Sequence, residues 1–483
     1  MKFLYLFVLI CCVFSCSERE DVQTKEPEIN QPPSQVNFNI DSVSHNFAYI
    51  SWEPAVDPEN DEVKYSIELN GQKLMENSKE RTYRFQNLEE LKSYNGKIIA
   101  TDIYKNSNST TFAFQTKKYY LTFLRNYKFP GPDLTSGAAT NILKLSDGNY
   151  LMGGYVYFDR GYSVFLMKTD YDGNVIWKKN YDIDGESSPS TFKMKESKGE
   201  IIIAASYTVA KLDLNGMLKW KNRINTYDNG YGNSTINSFA IDSQDNIYVV
   251  GTLADDSDDI NEKGLISKLS KDGNKIWEKE YISHMLETGG KSRHLRFMDV
   301  DIQDDQLVIF GDVSINNSFS TQQVYYLFKT NLDGNAISEK IFANTGVSYQ
   351  LVKRKNGNYL LSSSQNIMEI DKSGKELWAK TFYNHFTPYD MFFSVKETPS
   401  GNLLFIGKED KGLYNGTYFL TDSKGNIIWK KYFKDPPNYT MGLDVVLEND
   451  GGFRLAFLFA RYHSYKKWYE EVMIIKTNPE GNY

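Results

Sequence analysis

The residues of this chain that could do chemistry are few and unevenly placed. All three cysteines stand at positions 11, 12 and 16. The sequence beyond them therefore offers no disulfide, no thiolate metal site and no thiol nucleophile. The five histidines are His45, His284, His294, His385 and His463, and their spacing does not require any of them to meet. No glycine-rich phosphate loop and no nucleophile elbow is present. Asp255, Asp256, Asp258, Asp259 and Glu262 form an acidic stretch that would suit either a divalent cation or a solvated loop. The same choice applies to the turn carrying Asp57, Glu59, Asp61 and Glu62. Pairs such as Asp172-Gly173 and Asp272-Gly273 lack the dense oxygen ligands of a calcium loop and read as turns. No catalytic residue, metal site or cofactor is assigned on this basis, and the chain is expected not to be an enzyme.

Aromatic rings beside amides and carboxylates are a better lead. Tyr227-Asp-Asn-Gly-Tyr231-Gly-Asn233, Tyr383-Asn-His385-Phe-Thr-Pro-Tyr389 and Phe433-Lys-Asp-Pro-Pro-Asn-Tyr439 combine flat faces with directed hydrogen-bonding groups. Ring stacking with flanking amides suits a sugar or a peptide. The expected ligand-binding residues are Tyr227, Tyr231, Tyr383, His385, Tyr389 and Tyr439; the alternative is that these rings pack their own loops.

The elements that must position these loops are written repeatedly into the chain. KTDYDGNVIWKKNY begins at Lys168, and KLDLNGMLKWKNRI begins at Lys211. Related segments begin at Lys268, Lys329, Glu369 and Leu420, and a shortened one, KTNPEGNY, begins at Lys476. Each has apolar alternation of period two on either side of an Asx-Gly-type turn, which is a β-hairpin signature. Gly and Asn are expected to supply positive φ at the turn. A second hairpin precedes each copy, as in Leu143–Gly154 and Phe239–Gly251, and Lys193–Ala205 is its weakest version. Four strands in about 40–60 residues make one blade of a β-propeller. Seven such units are expected, with Ser338 in the place of one tryptophan. The last copy lacks its fourth strand. Phe123-Leu-Arg-Asn-Tyr127 matches Trp177-Lys-Lys-Asn-Tyr181, so Tyr120–Phe129 is expected to pair with Val472–Lys476 and close the ring. Repeated tryptophans are expected to dock between blades.

Composition agrees with an all-β class: 34 Tyr and 29 Phe accompany recurrent Asn-Gly and Asp-Gly turns. The formal charge is −7, and no basic block suggests nucleic acid. The paired lysines Lys178-Lys179 and Lys430-Lys431 are expected to coat outer blade edges. The chain divides into a signal segment (1–15), a polar tether (16–33), a small β-sandwich (34–117) and the propeller (118–483).

Three resemblances extend this reading. The Lys168, Asp170, Gly173, Trp177 pattern resembles the bacterial propeller repeat known as SBBP. Glu369–Trp378 resembles the quinoprotein-like repeat of pyrroloquinoline-quinone dehydrogenases and of outer-membrane assembly lipoproteins. Both imply architecture rather than an activity. The quinoprotein enzymes hold their cofactor under a vicinal disulfide, for which the chain beyond Cys16 has no cysteine. The repeat is also off register for the sialidase Asp-box. Ala48-Tyr-Ile-Ser-Trp52-Glu-Pro54, Val63–Leu69 and Ile98–Asp102 resemble strands of a fibronectin type III domain, which implies a spacer or contact module with Trp52 and Tyr65 in its core.

Met1-Lys2 followed by the apolar run Phe3–Phe14 is a signal-peptide pattern. Ser15-Cys16 resembles a bacterial lipobox, which implies lipidation at Cys16. The acidic Ser-Glu-Arg-Glu-Asp that follows resembles the surface-export signal of Bacteroidetes lipoproteins. The expectation is a monomeric lipoprotein of the outer membrane, facing the exterior or, alternatively, the periplasm. It would bind an extracellular glycan or an envelope or host protein at the loop-rich propeller face, without catalysis. The alternatives are a scaffold subunit of an envelope complex and a polysaccharide hydrolase or lyase.

Overall fold

A computed structural model describes residues 29–129, 136–158, 161–183, 191–224, 235–254, 261–283, 293–317, 320–345, 348–382, 390–410, 414–433, 439–463 and 467–483. The chain separates into two compact units, Met1–Tyr119 and Tyr120–Tyr483.

The first unit is a pair of antiparallel sheets. One has the strand order Phe38–Val43, Ala48–Trp52, Thr82–Phe85; the other runs Gln72–Ser78, Lys64–Leu69, Ser93–Thr101, Ser107–Gln115. Alternation along Ala48–Trp52 sends Ala48, Ile50 and Trp52 inward. Trp52 meets Tyr65 edge-on with ring centres 5.7 Å apart, inside a core that includes Ile67, Ile98 and Phe112. The acidic turn is organised from within: Asp57 Oδ1 accepts the amides of Glu59 and Asp61 at 3.0 Å each.

The second unit is an all-β propeller. Its four-stranded groups follow one another around the ring, beginning with Ser136–Lys144, Tyr150–Phe158, Gly161–Thr169 and Val175–Tyr181. Among the described residues, seven strands are innermost: Ser136–Lys144, Phe192–Ser197, Thr235–Ile241, Arg293–Gln303, Ser348–Lys353, Met391–Glu397 and Tyr439–Leu447. The last group takes its outer strand from the start of the unit, where Phe123–Tyr127 pairs antiparallel with Val472–Lys476. That is the closure expected from the sequence, and it removes an open sheet edge.

The repeated segment is a device for joining each blade to the next. A Cβ on Gly216 would lie 2.9 Å from Trp177 Cη2, and the same relation holds for Gly273 with Trp220, Gly334 with Trp277 and Gly481 with Trp429. Each of these four tryptophans thus packs its ring against the turn glycine of the following blade. The tyrosine four residues later adds a hydrogen bond to the same glycine: Tyr181 Oη donates to Gly216 O at 2.6 Å and Tyr281 Oη to Gly334 O at 2.6 Å. At the seam Tyr127 Oη does so to Gly173 O at 2.7 Å. Where Ser338 replaces the tryptophan, Leu327 supplies the contact with Gly374.

Two expectations are corrected here. The turn glycines have positive φ, but the asparagines after them do not. The first residue of the turn does the capping instead, with Asp170 Oδ1 accepting the amide of Asn174 at 2.7 Å. Of the paired lysines, Lys179 reaches Asn215 O at 2.8 Å and Lys431 reaches Asn482 Oδ1, so each binds the next blade's turn rather than simply coating an edge.

Candidate functional site in the axial cavity

The innermost strands surround a cavity of about 610 Å³ on the propeller axis, lined by side chains from every one of the seven. Alternation of period two decides which residues face it. Six of the seven strands also carry a register shift: the pairing jumps from Ala139 to Asn141, from Ile236 to Ser238, from Phe297 to Asp299, from Ser348 to Gln350, from Phe392 to Ser394 and from Gly442 to Asp444. A one-residue bulge re-aims the residues beside it. The strand opposite has glycine there for a steric reason. A Cβ on Gly251, Gly311 or Gly407 would fall 1.9–2.0 Å from a carbonyl oxygen of the bulged strand.

The residues just after the bulges form a belt around the axis. Asp299 accepts from Ser238 Oγ of the preceding blade at 2.5 Å, from its neighbour's amide, Val300 N, at 3.0 Å, and from Leu351 N of the following blade at 2.8 Å. Asp444 repeats this with Ser394 Oγ at 2.8 Å, Val445 N at 2.9 Å and Ile142 N of the first blade at 3.1 Å. Gln350 Oε1 accepts Val395 N at 3.0 Å. Both aspartates are buried and saturated by donors, so their task is to lock neighbouring blades together.

The second blade breaks the pattern. Phe192–Ser197 pairs with Glu200–Ala205 without a bulge, and the residue in the belt position is Lys193. Lys195, two residues on, faces the same cavity, as does Lys396 from the sixth blade. Lys195 lies deep in the cavity, with its ammonium 5.4 Å above the Phe239 ring. Burial pulls its pKa below the ordinary lysine value; Asp299 and Asp301 oppose this, and Lys193 and Lys396 add to it. Asp301 is engaged by Tyr359 Oη at 2.7 Å and by Lys353 Nζ at 3.4 Å. Thr140 Oγ1 and Asn141 Oδ1, which line the same cavity, are buried and without a hydrogen-bond partner.

Most of the residues expected from sequence to bind ligand fall elsewhere. Tyr227, Tyr231, Tyr383, His385 and Tyr389 lie outside the described residues, as do Cys16, His284 and 255–260 of the acidic stretch. Tyr439 opens the innermost strand of the seventh blade, half-buried, with its hydroxyl 3.8 Å from Met441 Sδ; it is not part of the cavity lining. Glu262, the described acidic member of the 255–262 stretch, lies 3.4 Å from His294 Nδ1 and 3.9 Å from Arg296. His45 packs against the Tyr119 ring at 4.7 Å. Among the described residues, no three His, Cys, Asp or Glu side chains gather as a metal site. The sequence reading passed over Lys193, Lys195 and Lys396. The signal for the first two was the alternation Lys-Met-Lys in the hairpin that matched the repeat least well.

No protein-family model and no curated protein matches the sequence. Similar solved structures include the polysaccharide lyase Uly1, at 12% identity over 75% of this chain and 94% of that one, with a TM-score of 0.47. The Neurospora crassa Pan2 WD40 domain is similar at 10% identity over 71% and 89%, with a TM-score of 0.42. A Penicillium chrysogenum α-L-arabinanase is similar at 10% identity over 64% and 100%, also with a TM-score of 0.42. The expectation that the chain is not an enzyme is corrected by this finding. A lyase and an arabinanase stand among the similar structures, and the non-catalytic reading is withdrawn.

Proposed function

We propose that this chain recognises an extracellular polysaccharide in the axial cavity and acts on it, held at the envelope by a lipid on Cys16 and spaced from the membrane by a fibronectin type III-like unit. The observation that supports the reading is the cavity itself. Its size suits one or two sugar rings, and it presents buried, unpartnered polar atoms on Thr140 and Asn141, with the side chains of Asn237 and Gln350 elsewhere in the same lining. A sugar hydroxyl both donates and accepts, so it can satisfy such groups where an apolar ligand would leave them orphaned.

The chemistry available favours proton transfer over a paired-carboxylate hydrolysis. Asp299 and Asp444 are saturated by donors, which leaves neither as a free acid. The Lys195 ammonium, which burial makes readier to release its proton than an ordinary lysine, is the group in the cavity suited to donating a proton to an oxygen of a bound sugar.

The test is to present the chain from Ser17 onward with a panel of neutral and acidic polysaccharides. Binding would be measured by calorimetry, and cleavage by reducing ends and by the ultraviolet absorbance of unsaturated ends. Saturable binding that is lost in Asn141→Leu supports the reading, and turnover lost in Lys195→Met completes it. Absence of both binding and turnover across the panel overturns it.

A further inference from the structure

Lys193, Lys195 and Lys396 make no ion pair and no hydrogen bond among the described residues, although three aspartates line the same cavity. Those carboxylates are already committed. Asp299 and Asp444 serve the belt between blades, and Asp301 serves Tyr359 and Lys353. Three ammonium groups thus share one recess without a contacting counter-charge, inside a protein whose formal charge is −7. The Lys195 ammonium is disfavoured in the empty protein by burial and by the nearby charges of Lys193 and Lys396, which Asp299 and Asp301 offset only in part. It becomes favoured when a ligand brings the missing negative charge, since charge-assisted hydrogen bonds from ammonium to carboxylate or sulfate are among the stronger polar contacts. Thr140 and Asn141 stand ready for neutral hydroxyls in the same space.

We infer that the axial cavity selects an acidic sugar, with a carboxylate or sulfate seated among Lys193, Lys195 and Lys396. This rests on the glycan reading above and adds its charge class. Binding should be salt-sensitive. It should also weaken as pH rises, because the Lys195 ammonium releases its proton more readily than an ordinary lysine unless an anion holds it.

The experiment compares an oligogalacturonate, its fully methyl-esterified form and a sulfated oligosaccharide on the wild-type chain and on K195M/K396M. At least tenfold tighter binding of an acidic form than of the ester, lost in the double variant, supports the inference. A melting temperature of the double variant at or above wild type shows that the loss is not unfolding, as relief of repulsion predicts. Equal binding of ester and acid overturns the charge class while leaving the glycan reading intact. If no oligosaccharide binds, inorganic sulfate is the second probe. A melting-temperature rise with sulfate in wild type but not in K195M/K396M keeps the anion site while the glycan reading fails. No response to sulfate in either overturns the inference.

Discussion

At the scale of single residues, the repeat glycines carry two constraints at once. Gly216 has a φ of +74°, where a side chain costs about 1–2 kcal/mol. It also lies under Trp177 and Tyr181, so a Cβ there would sit 2.7 Å from Tyr181 Oη. Gly216→Ala is expected to lower stability by roughly 2–3 kcal/mol in urea unfolding. In the background of Trp177→Ala part of that penalty should vanish, giving a coupling on the order of 1 kcal/mol in a double-mutant cycle. Strict additivity would show that the tryptophan and the glycine are not a docking pair.

Glu200 supplies a pH signature at the same scale. Hydrogen bonds from Lys211 and Lys219 hold its carboxyl below the ordinary value of 4.5, with burial working against them. A depressed carboxylate pKa adds stability that is complete above 4.5 and fades as pH falls through the lower folded value. The stability difference between wild type and Glu200→Gln should therefore be constant near neutral pH and shrink on acidification below about 4.5. A difference that does not change with pH would mean that the lysine contacts contribute nothing.

At the scale of elements, the blade-to-blade joint was legible and the cavity was not, for a physical reason. The joint is made by Trp, Gly and Tyr at fixed spacing within one hairpin, so it recurs as a local pattern. The belt uses one residue per blade, and its members differ in kind: Asn141, Lys193, Ser238, Asp299, Gln350, Ser394, Asp444. Nothing along the chain relates these residues; they become neighbours when the ring closes, and a bulge lies beside each of them except Lys193. The strand Phe192–Ser197 matched the repeat poorly because it lacks that bulge and places Lys193 where the others have neutral or acidic groups. The misfit marked the site.

At the scale of the whole molecule, stability depends on five residues at the start of the propeller. Phe123–Tyr127 completes the last sheet, and Tyr127 also caps the first blade's turn. Alternate amides of such a strand point toward its neighbour, so proline at either Arg125 or Asn126 must remove a ladder donor. One of these two substitutions is expected to lower stability by about 3 kcal/mol and to open the seam to protease near Val472–Lys476. Two variants as stable and as resistant as wild type would show that the closing strand is dispensable.

The same closure sets an order of events in the life of the chain. Val472–Lys476 is made after the other propeller strands, while its partner strand has been waiting since before the first blade. Until those final residues arrive the ring stays open, with sheet edges available for mispairing. A chain cut short anywhere in the last blade is therefore left unlatched, and this fold inspects its own length before it becomes stable.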